Sequence, residues 1–165
     1  MKHLLYILLF TLSFQTFSQE TLDDVLAKYT TGSVPYISVE QLQKTMKTGE
    51  IIVLDAREKE EFAVSHLSNS IWVGFDSFSL EQTLQKFPDK NAEIVVYCSV
   101  GVRSEKIGEK LQKAGYTQVK NLYGGIFAWK NNNLPVYDRK GNKTEKIHAY
   151  SKKWGKWLET GEKKY

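Results

Sequence analysis

Cys98 is the only cysteine of the chain, and its position favours a nucleophilic role. It follows an apolar run, residues 94–97, of the kind that forms a buried strand, and a predicted helix begins a few residues later. A short loop between a strand and a helix N-terminus directs backbone N–H groups and the helix dipole toward one point, where they stabilise an anion. The residues of this candidate anion-binding loop are Ser99, Val100, Gly101, Val102, Arg103 and Ser104.

The reactivity of Cys98 depends on which influence on its thiol pKa dominates. The helix dipole and the nearby charge of Arg103 lower that pKa, whereas burial in apolar surroundings raises it. The alternative is a small buried side chain without chemistry, which is the fate of many free cysteines. Gly101, which permits unusual backbone angles, together with Arg103 and Ser104, favours the reactive thiol.

The elements that must position Cys98 follow from the hydrophobic pattern. Residues 51–54 and 94–97 are continuously apolar, as strands covered on both faces are. Further brief strands are predicted at 36–37, 71–73 and 119–123. Helices are predicted between them, at 38–47, 58–64, 80–87, 104–113 and 126–131. Two of these helices are expected to begin at capping boxes, Ser38 with Gln41 and Ser79 with Gln82. This alternation predicts an α/β fold with a central, mostly parallel five-stranded sheet flanked by helices.

Three motifs resemble those of one known family. Residues 98–104 read C-S-V-G-V-R-S, which resembles the C-x-x-G-x-R-S active-site loop of single-domain rhodaneses. Residues 54–57, L-D-A-R, with Glu61 and Phe62, are similar to the family's D-x-R-x-x-x-E-[FY] stretch, and residues 124–129, G-G-I-F-A-W, to its G-G-x-x-x-W. The resemblance covers about residues 37–136. Residues 65–71, S-H-L-S-N-S-I, differ from the usual G-H-I-P-G-A-I.

The resemblance implies a rhodanese-like fold and a thiosulfate sulfurtransferase. Cys98 would take a sulfur atom from a small anionic donor such as thiosulfate, form a persulfide, and pass the sulfur to a thiol or cyanide, without a metal or organic cofactor. Arg103 and the N–H groups of the loop would hold the persulfide and the leaving sulfite. Two alternatives remain: a protein-binding module in which Cys98 is idle, and a phosphatase or arsenate reductase, which the short spacing from Cys98 to Arg103 disfavours.

Asp55 and Arg57 could support the site, whereas His66 and Trp129 are expected to be structural. Asp55, at the end of a buried strand, is expected to order neighbouring loops by hydrogen bonding rather than to act as a base. Arg57 could face the substrate, but its spacing to Glu61 favours an ion pair on a helix face. His66 is expected to be a structural loop residue, since the histidines lack metal-ligand spacing. Trp129 is expected in the core.

The two ends of the chain suggest export and an accessory segment. Residues 1–18, with a basic start and an apolar run too short to span a bilayer, predict a signal peptide, and therefore a periplasmic or secreted protein without stable membrane insertion. Residues 19–35 predict an N-terminal helical extension, and residues 36–137 the rhodanese-like domain.

Residues 138–165 form a basic aromatic tail, with nine Lys or Arg against four Asp or Glu. Tyr150, Trp154, Trp157 and Leu158 have helical spacing, which predicts an apolar stripe docked on the domain. The alternative is contact with a protein partner or an anionic membrane surface. Nucleic acid is not expected as a partner.

Overall fold

The computed structural model describes residues 20–49 and 51–165, so the predicted signal peptide lies outside the described residues. Five strands form one sheet in the order β1-β5-β4-β2-β3, and every neighbouring pair is parallel. The predicted α/β fold with a five-stranded sheet is therefore confirmed. The strands of this sheet are β1 (Tyr36–Ile37), β2 (Ile51–Asp55), β3 (Ile71–Trp72), β4 (Glu93–Tyr97) and β5 (Val119–Leu122).

The two longest strands, β2 and β4, lie side by side at the centre of the sheet. Most of their apolar residues are buried because helices cover both faces, which explains the continuous hydrophobicity of the two runs. Asp55 pairs in register with Tyr97, so both strands end at the same edge. Cys98 is the next residue, and the candidate loop therefore lies at the carboxyl edge of the sheet, where ligands bind in open parallel sheets.

Helices flank the sheet, and two of them begin at the capping residues that the sequence indicated. Ser38 accepts a hydrogen bond from the backbone N–H of Gln41, whose side chain accepts one in return, and Ser79 accepts from the N–H of Gln82. The helices are α1 (Leu22–Tyr29), α2 (Val39–Met46), α3 (Lys59–Val64), α4 (Leu80–Lys86), α5 (Val102–Lys113), α6 (Gly125–Asn131) and α7 (Lys152–Gly155).

The tail contains three short strands. β7 (Lys143–Thr144) is antiparallel to β6 (Val136–Tyr137), which lies just before the tail, and β8 (Lys146–His148) is parallel to β9 (Glu162–Lys164). The predicted long helical stripe is wrong, because Tyr150 has a left-handed backbone with φ 62° and only Lys152–Gly155 is helical. A helix does not continue through that conformation.

The tail nevertheless packs into the main core. Ile147, Ala149 and Leu158 are fully buried in the same hydrophobic cluster as Phe127 and Trp129. The expected burial of Trp129 is confirmed, and its indole donates a hydrogen bond to the Pro135 carbonyl at 3.0 Å. Burying such side chains contributes about 1.5–3 kcal/mol each.

Polar contacts fix the tail to α6 and α1. Asn131 donates to the Trp157 carbonyl at 2.9 Å and accepts from the backbone N–H of Glu159 at 2.8 Å. Lys156 forms an ion pair with Glu20 at 2.6 Å, just before α1. Among the described residues, no helix is both long and apolar enough to cross a membrane.

Candidate active site

Cys98 lies at the start of the loop between β4 and α5, with only 1% of its surface exposed. Its Sγ accepts hydrogen bonds from the backbone N–H of Gly101 at 3.2 Å and from Ser104 Oγ at 3.5 Å. Gly101 has φ 119°, and a Cβ there would lie 3.3 Å from a methyl group of Leu26 in α1. The loop therefore curls around the sulfur atom, and α1 supports it from behind.

The surroundings of Cys98 lower the pKa of its thiol. Burial raises that pKa, but several favourable interactions outweigh it. The charge of Arg103 contributes most, followed by the hydroxyl and backbone N–H of Ser104 and the backbone N–H of Gly101. A thiol with a lowered pKa is more often a thiolate near neutral pH, and the thiolate is the nucleophilic form.

Arg103 is fixed beside the cysteine by a carboxylate. Its two terminal nitrogens donate to the two oxygens of Glu61, at 2.6 and 2.8 Å, and Nη2 also donates to Ser99 Oγ at 3.1 Å. Burial raises the pKa of Glu61, but Arg103, together with Arg57 and the backbone N–H of Glu58, outweighs burial and leaves that pKa below its ordinary value. The pair is therefore ionised, and Arg103 acts near Cys98 as a positioned charge.

A cavity of about 190 Å³ opens at the loop. Cys98 and Arg103 contribute to its lining, and so do two aromatic residues of the tail, Tyr150 and Trp154. The guanidinium of Arg103 lies 4.9 Å from the centre of the Tyr150 ring. The other residues that line this cavity are Ser99, Val100 and Val102.

Residues 38–132 match the family model described as a rhodanese-like domain. The chain belongs to the rhodanese-like family. This match includes the candidate loop and ends before the tail. The family resemblance expected from the three motifs is thus confirmed.

Curated relatives of this rhodanese-like chain include the tRNA uridine(34) hydroxylase of Staphylococcus aureus strain Newman. The two sequences are 32% identical over 109 residues, which make up 63% of this chain and 33% of that protein. The chain therefore spans about a third of the length of these relatives. The same protein from strain USA300 matches equally well.

Solved structures of the same fold include a rhodanese-like domain protein from Staphylococcus aureus, with 28% identity and a TM-score of 0.52 over 58% of this chain and 91% of that one. A Bacillus halodurans protein has 25% sequence identity and a TM-score of 0.58, and the match covers 73% of this chain and 89% of that one. Thiosulfate sulfurtransferase from Pseudomonas aeruginosa has 22% sequence identity and a TM-score of 0.61, and the match covers 83% of this chain and 25% of that one. This similarity shows the fold alone.

The expected ion pair between Arg57 and Glu61 is wrong. Arg57 instead binds Asp55, with Nη2 2.7 Å from Oδ2, and donates to the Ser65 carbonyl at 2.6 Å. The reason is that α3 begins at Lys59, so Arg57 lies before the helix and does not share a face with Glu61. Arg57 is fully buried and does not line the cavity of the rhodanese-like loop, which also argues against a substrate-facing role.

Asp55 is fully buried and organises the loop that follows β2. Its Oδ1 accepts from the backbone N–H of Arg57 at 2.9 Å, and its carbonyl accepts from the N–H of Val73 at 3.0 Å. The carboxylate is occupied by Arg57 and does not line the cavity. These contacts join the ends of β2 and β3 without bringing Asp55 to the sulfur.

His66 lies in the segment that differs from the usual family sequence. Its ring stacks on Phe62 with centroids 4.0 Å apart, and its backbone forms two hydrogen bonds with Tyr137 at 2.9 Å. The hydroxyl of Tyr97 accepts from the N–H of Leu67 at 3.2 Å. These bonds hold the loop without the family's glycines and proline. Within 20–49 and 51–165, no cluster of His, Cys, Asp or Glu could hold a metal ion.

Asn121 is a site residue that the sequence analysis missed. It is fully buried in β5, where its Oδ1 accepts from Ser104 Oγ at 2.7 Å and its Nδ2 donates to the Gly101 carbonyl at 2.8 Å. The hydroxyl of Ser104 has one proton, so it can donate to Asn121 or to Cys98 but not to both at once. An amide side chain between Val119 and Leu122, in a predicted strand, was the available signal.

Gly125 is a second residue whose role at the site the sequence did not reveal. Its role depends on a close approach between the backbone of α6 and the backbone of the loop. The N–H of Ile126 donates to the Cys98 carbonyl at 2.9 Å, and that of Phe127 donates to the Ser99 carbonyl at 3.2 Å. A Cβ on Gly125 would overlap the Cys98 carbonyl oxygen and lie 2.7 Å from the carbonyl carbon of Ser99. The glycine pair therefore lets α6 hold the first two residues of the loop.

Proposed function

We propose that the protein is a sulfurtransferase in which Cys98 carries sulfur as a persulfide. The observation that carries the proposal is the position of Sγ, which accepts a hydrogen bond from the N–H of Gly101 and lies 3.5 Å from the Ser104 hydroxyl, in a loop that lines a cavity. Hydrogen-bond donors fixed around a sulfur atom stabilise negative charge there without reorganisation. Thiolate and persulfide both carry that charge.

In the first step, the Cys98 thiolate attacks the outer sulfur of a donor such as thiosulfate. A bond forms between the two sulfur atoms, the bond from the outer sulfur to the sulfite group breaks, and sulfite leaves with the bonding electron pair. The charge of Arg103, held by Glu61, favours the approach of the anionic donor and the departure of sulfite. The product is a Cys98 persulfide.

In the second step, a nucleophilic acceptor removes the outer sulfur. Cyanide gives thiocyanate and a thiolate gives an organic persulfide, and in both cases Cys98 leaves as a thiolate, so the cycle is closed without an external oxidant or reductant. This two-step cycle is a ping-pong mechanism, because the donor product leaves before the acceptor reacts.

Steady-state kinetics with thiosulfate and cyanide test this function. We expect thiocyanate formation with parallel double-reciprocal plots, and none with Cys98→Ser. A phosphate ester should not be hydrolysed, in agreement with the short spacing between Cys98 and Arg103. An intact, folded protein that forms no thiocyanate would contradict the proposal and favour the binding module.

The 32% identity to tRNA uridine(34) hydroxylase favours a second candidate, the reaction that this name describes. To test this candidate, the protein is incubated with tRNA and the nucleosides of that tRNA are analysed. Hydroxylated uridine without any Cys98 persulfide would assign the chain to that reaction instead of sulfur transfer.

A further inference from the structure

The tail contributes one wall of the cavity next to Cys98. Tyr150 and Trp154 line this cavity, although both lie beyond residues 38–132, which match the rhodanese-like domain. The opposite wall comes from the loop itself, through Val100 and Val102. The surroundings of the sulfur are therefore completed by a segment that the family model does not include.

Contacts with α1 and with the main core fix the position of this wall. Trp154 packs against the ring of Tyr29 in α1, with centroids 5.6 Å apart. The backbone N–H of Tyr150 donates to His148 Nδ1 at 3.1 Å, and its neighbour Ala149 is fully buried. Since Leu158 is buried in the main core as well, both ends of the segment that carries the two rings are anchored.

The wall formed by the tail is apolar, and among the described residues the lining of the cavity includes one charged side chain. Arg103 supplies that charge, but Glu61 binds both of its terminal nitrogens. The aromatic faces of Tyr150 and Trp154 and the methyl groups of two valines attract apolar groups, and sulfur packs well against aromatic rings. The lining therefore offers an apolar surface to the body of an organic molecule, beside the charge of Arg103 that attracts the anionic donor.

The size of the cavity limits the molecule to a small one. Its volume is about 190 Å³, below the roughly 300–1,000 Å³ of sites for drug-sized ligands. Tyr150 is half exposed, with 51% of its surface accessible, so the cavity remains open to solvent beside this ring. This opening gives a small thiol access to the lining of the cavity, to which Cys98 contributes.

We infer that Tyr150 and Trp154 bind the apolar or aromatic body of a small organic thiol and thereby determine which acceptor takes sulfur from Cys98. The inference rests on the proposed sulfur transfer. The incoming thiolate attacks the outer sulfur of the Cys98 persulfide, a new bond forms between those two sulfur atoms, and the bond from the outer sulfur to Sγ breaks. Cys98 leaves as a thiolate, and no net oxidation or reduction occurs.

The test compares two acceptors in a single turnover of the preformed Cys98 persulfide. The rate of persulfide loss is measured with benzenethiol and, separately, with cyanide, in the wild type, Tyr150→Ala and Trp154→Leu. We expect the ratio of the benzenethiol to the cyanide rate constant to fall about tenfold when either ring is removed, because a lost aromatic contact weakens binding of the organic body.

Tyr165→Ala is the matched control, because Tyr165 is an exposed tyrosine of the same tail that does not line the cavity. Its ratio should equal that of the wild type. Tyr150 is exposed enough for its alanine variant to fold, so the test does not depend on the partly buried Trp154.

An unchanged ratio in Tyr150→Ala, or an equal fall in Tyr165→Ala, would overturn the inference while leaving sulfur transfer intact. A wild-type protein that forms no persulfide with any donor would instead overturn the proposed function, and the inference with it.

Discussion

At the scale of single residues, the thiol of Cys98 is subject to opposing influences. Burial favours the neutral thiol, whereas Arg103, Ser104 and the loop N–H groups favour the thiolate. Their combined effect is a pKa below the ordinary value of a cysteine. The reaction rate of Cys98 should therefore rise with pH and reach half its maximum at a lower pH than that of an unperturbed thiol.

Arg103→Gln should move this pH profile to higher pH. The thiolate fraction increases as pH rises through the pKa, so removal of the positive charge that lowers the pKa means that a higher pH is needed for the same fraction. The measurement is the rate of Cys98 alkylation by iodoacetamide as a function of pH.

Arg139→Gln serves as the control for charge, because Arg139 is exposed in the tail. Ser104→Ala removes one donor to Sγ without unpairing Glu61, and should shift the midpoint in the same direction. An identical midpoint in the wild type and Arg103→Gln, with Arg103→Gln folded, would show that Arg103 does not control the thiol.

The contacts of Glu61 and Asn121 show which parts of the site the sequence could not predict. The pair of Arg57 with Glu61 was inferred from helical spacing, but the helix begins two residues after Arg57, at Lys59. Arg103 binds Glu61 instead, across 42 residues of sequence. Local spacing contains no information about such distant partners, and Asn121 was missed for the same reason, because its partners lie in α5 and the loop before it.

At the scale of elements, the loop after β4 depends on the start of α6. The N–H groups of Ile126 and Phe127 donate to the carbonyls of Cys98 and Ser99, and only a residue without a Cβ fits at Gly125. The position of the catalytic candidate is thus set by an element more than twenty residues further along the chain.

Gly125→Ala should destabilise the protein and slow persulfide formation. A side chain in the left-handed region costs about 1–2 kcal/mol, and forced overlap with backbone adds about 1–3 kcal/mol. The free energy of unfolding, measured with denaturant, should fall by about 2–5 kcal/mol. The rate of persulfide formation should fall because Cys98 is displaced.

Gly141→Ala separates the cost of a left-handed backbone from the cost of the close contact with neighbouring backbone. Gly141 also has a positive φ, 80°, but nothing lies within 4 Å of a Cβ placed there. This variant should lose only about 1–2 kcal/mol and should form persulfide at the wild-type rate. Equal losses of stability in the two variants would contradict the proposed role of the close contact at Gly125.

The elements themselves were largely predictable. Continuous apolar runs identified β2 and β4, and Ser38 with Gln41 identified the start of α2, because these signals are local. The parallel arrangement followed from the alternation of strands and helices. The tail was not predicted correctly, since the spacing of Tyr150, Trp154 and Leu158 resembles a helix, whereas the left-handed backbone at Tyr150 interrupts it.

At the scale of the whole molecule, α1 and the tail meet near the active site. Tyr29 of α1 packs on Trp154 of the tail, and Lys156 pairs with Glu20. Leu26 of α1 lies against the loop at Gly101. The site therefore consists of the rhodanese-like domain together with two flanking segments. A protein partner bound through the tail stays a prediction.

The central claim is that Cys98 of the full chain carries sulfur, and intact mass tests it most directly. The mass of the purified protein is measured before and after thiosulfate, and again after cyanide, with Cys98→Ser as the control. We predict a gain of one sulfur atom that cyanide reverses and that the variant does not show. A folded wild-type protein whose mass does not change with thiosulfate or with an organic persulfide donor would contradict the account.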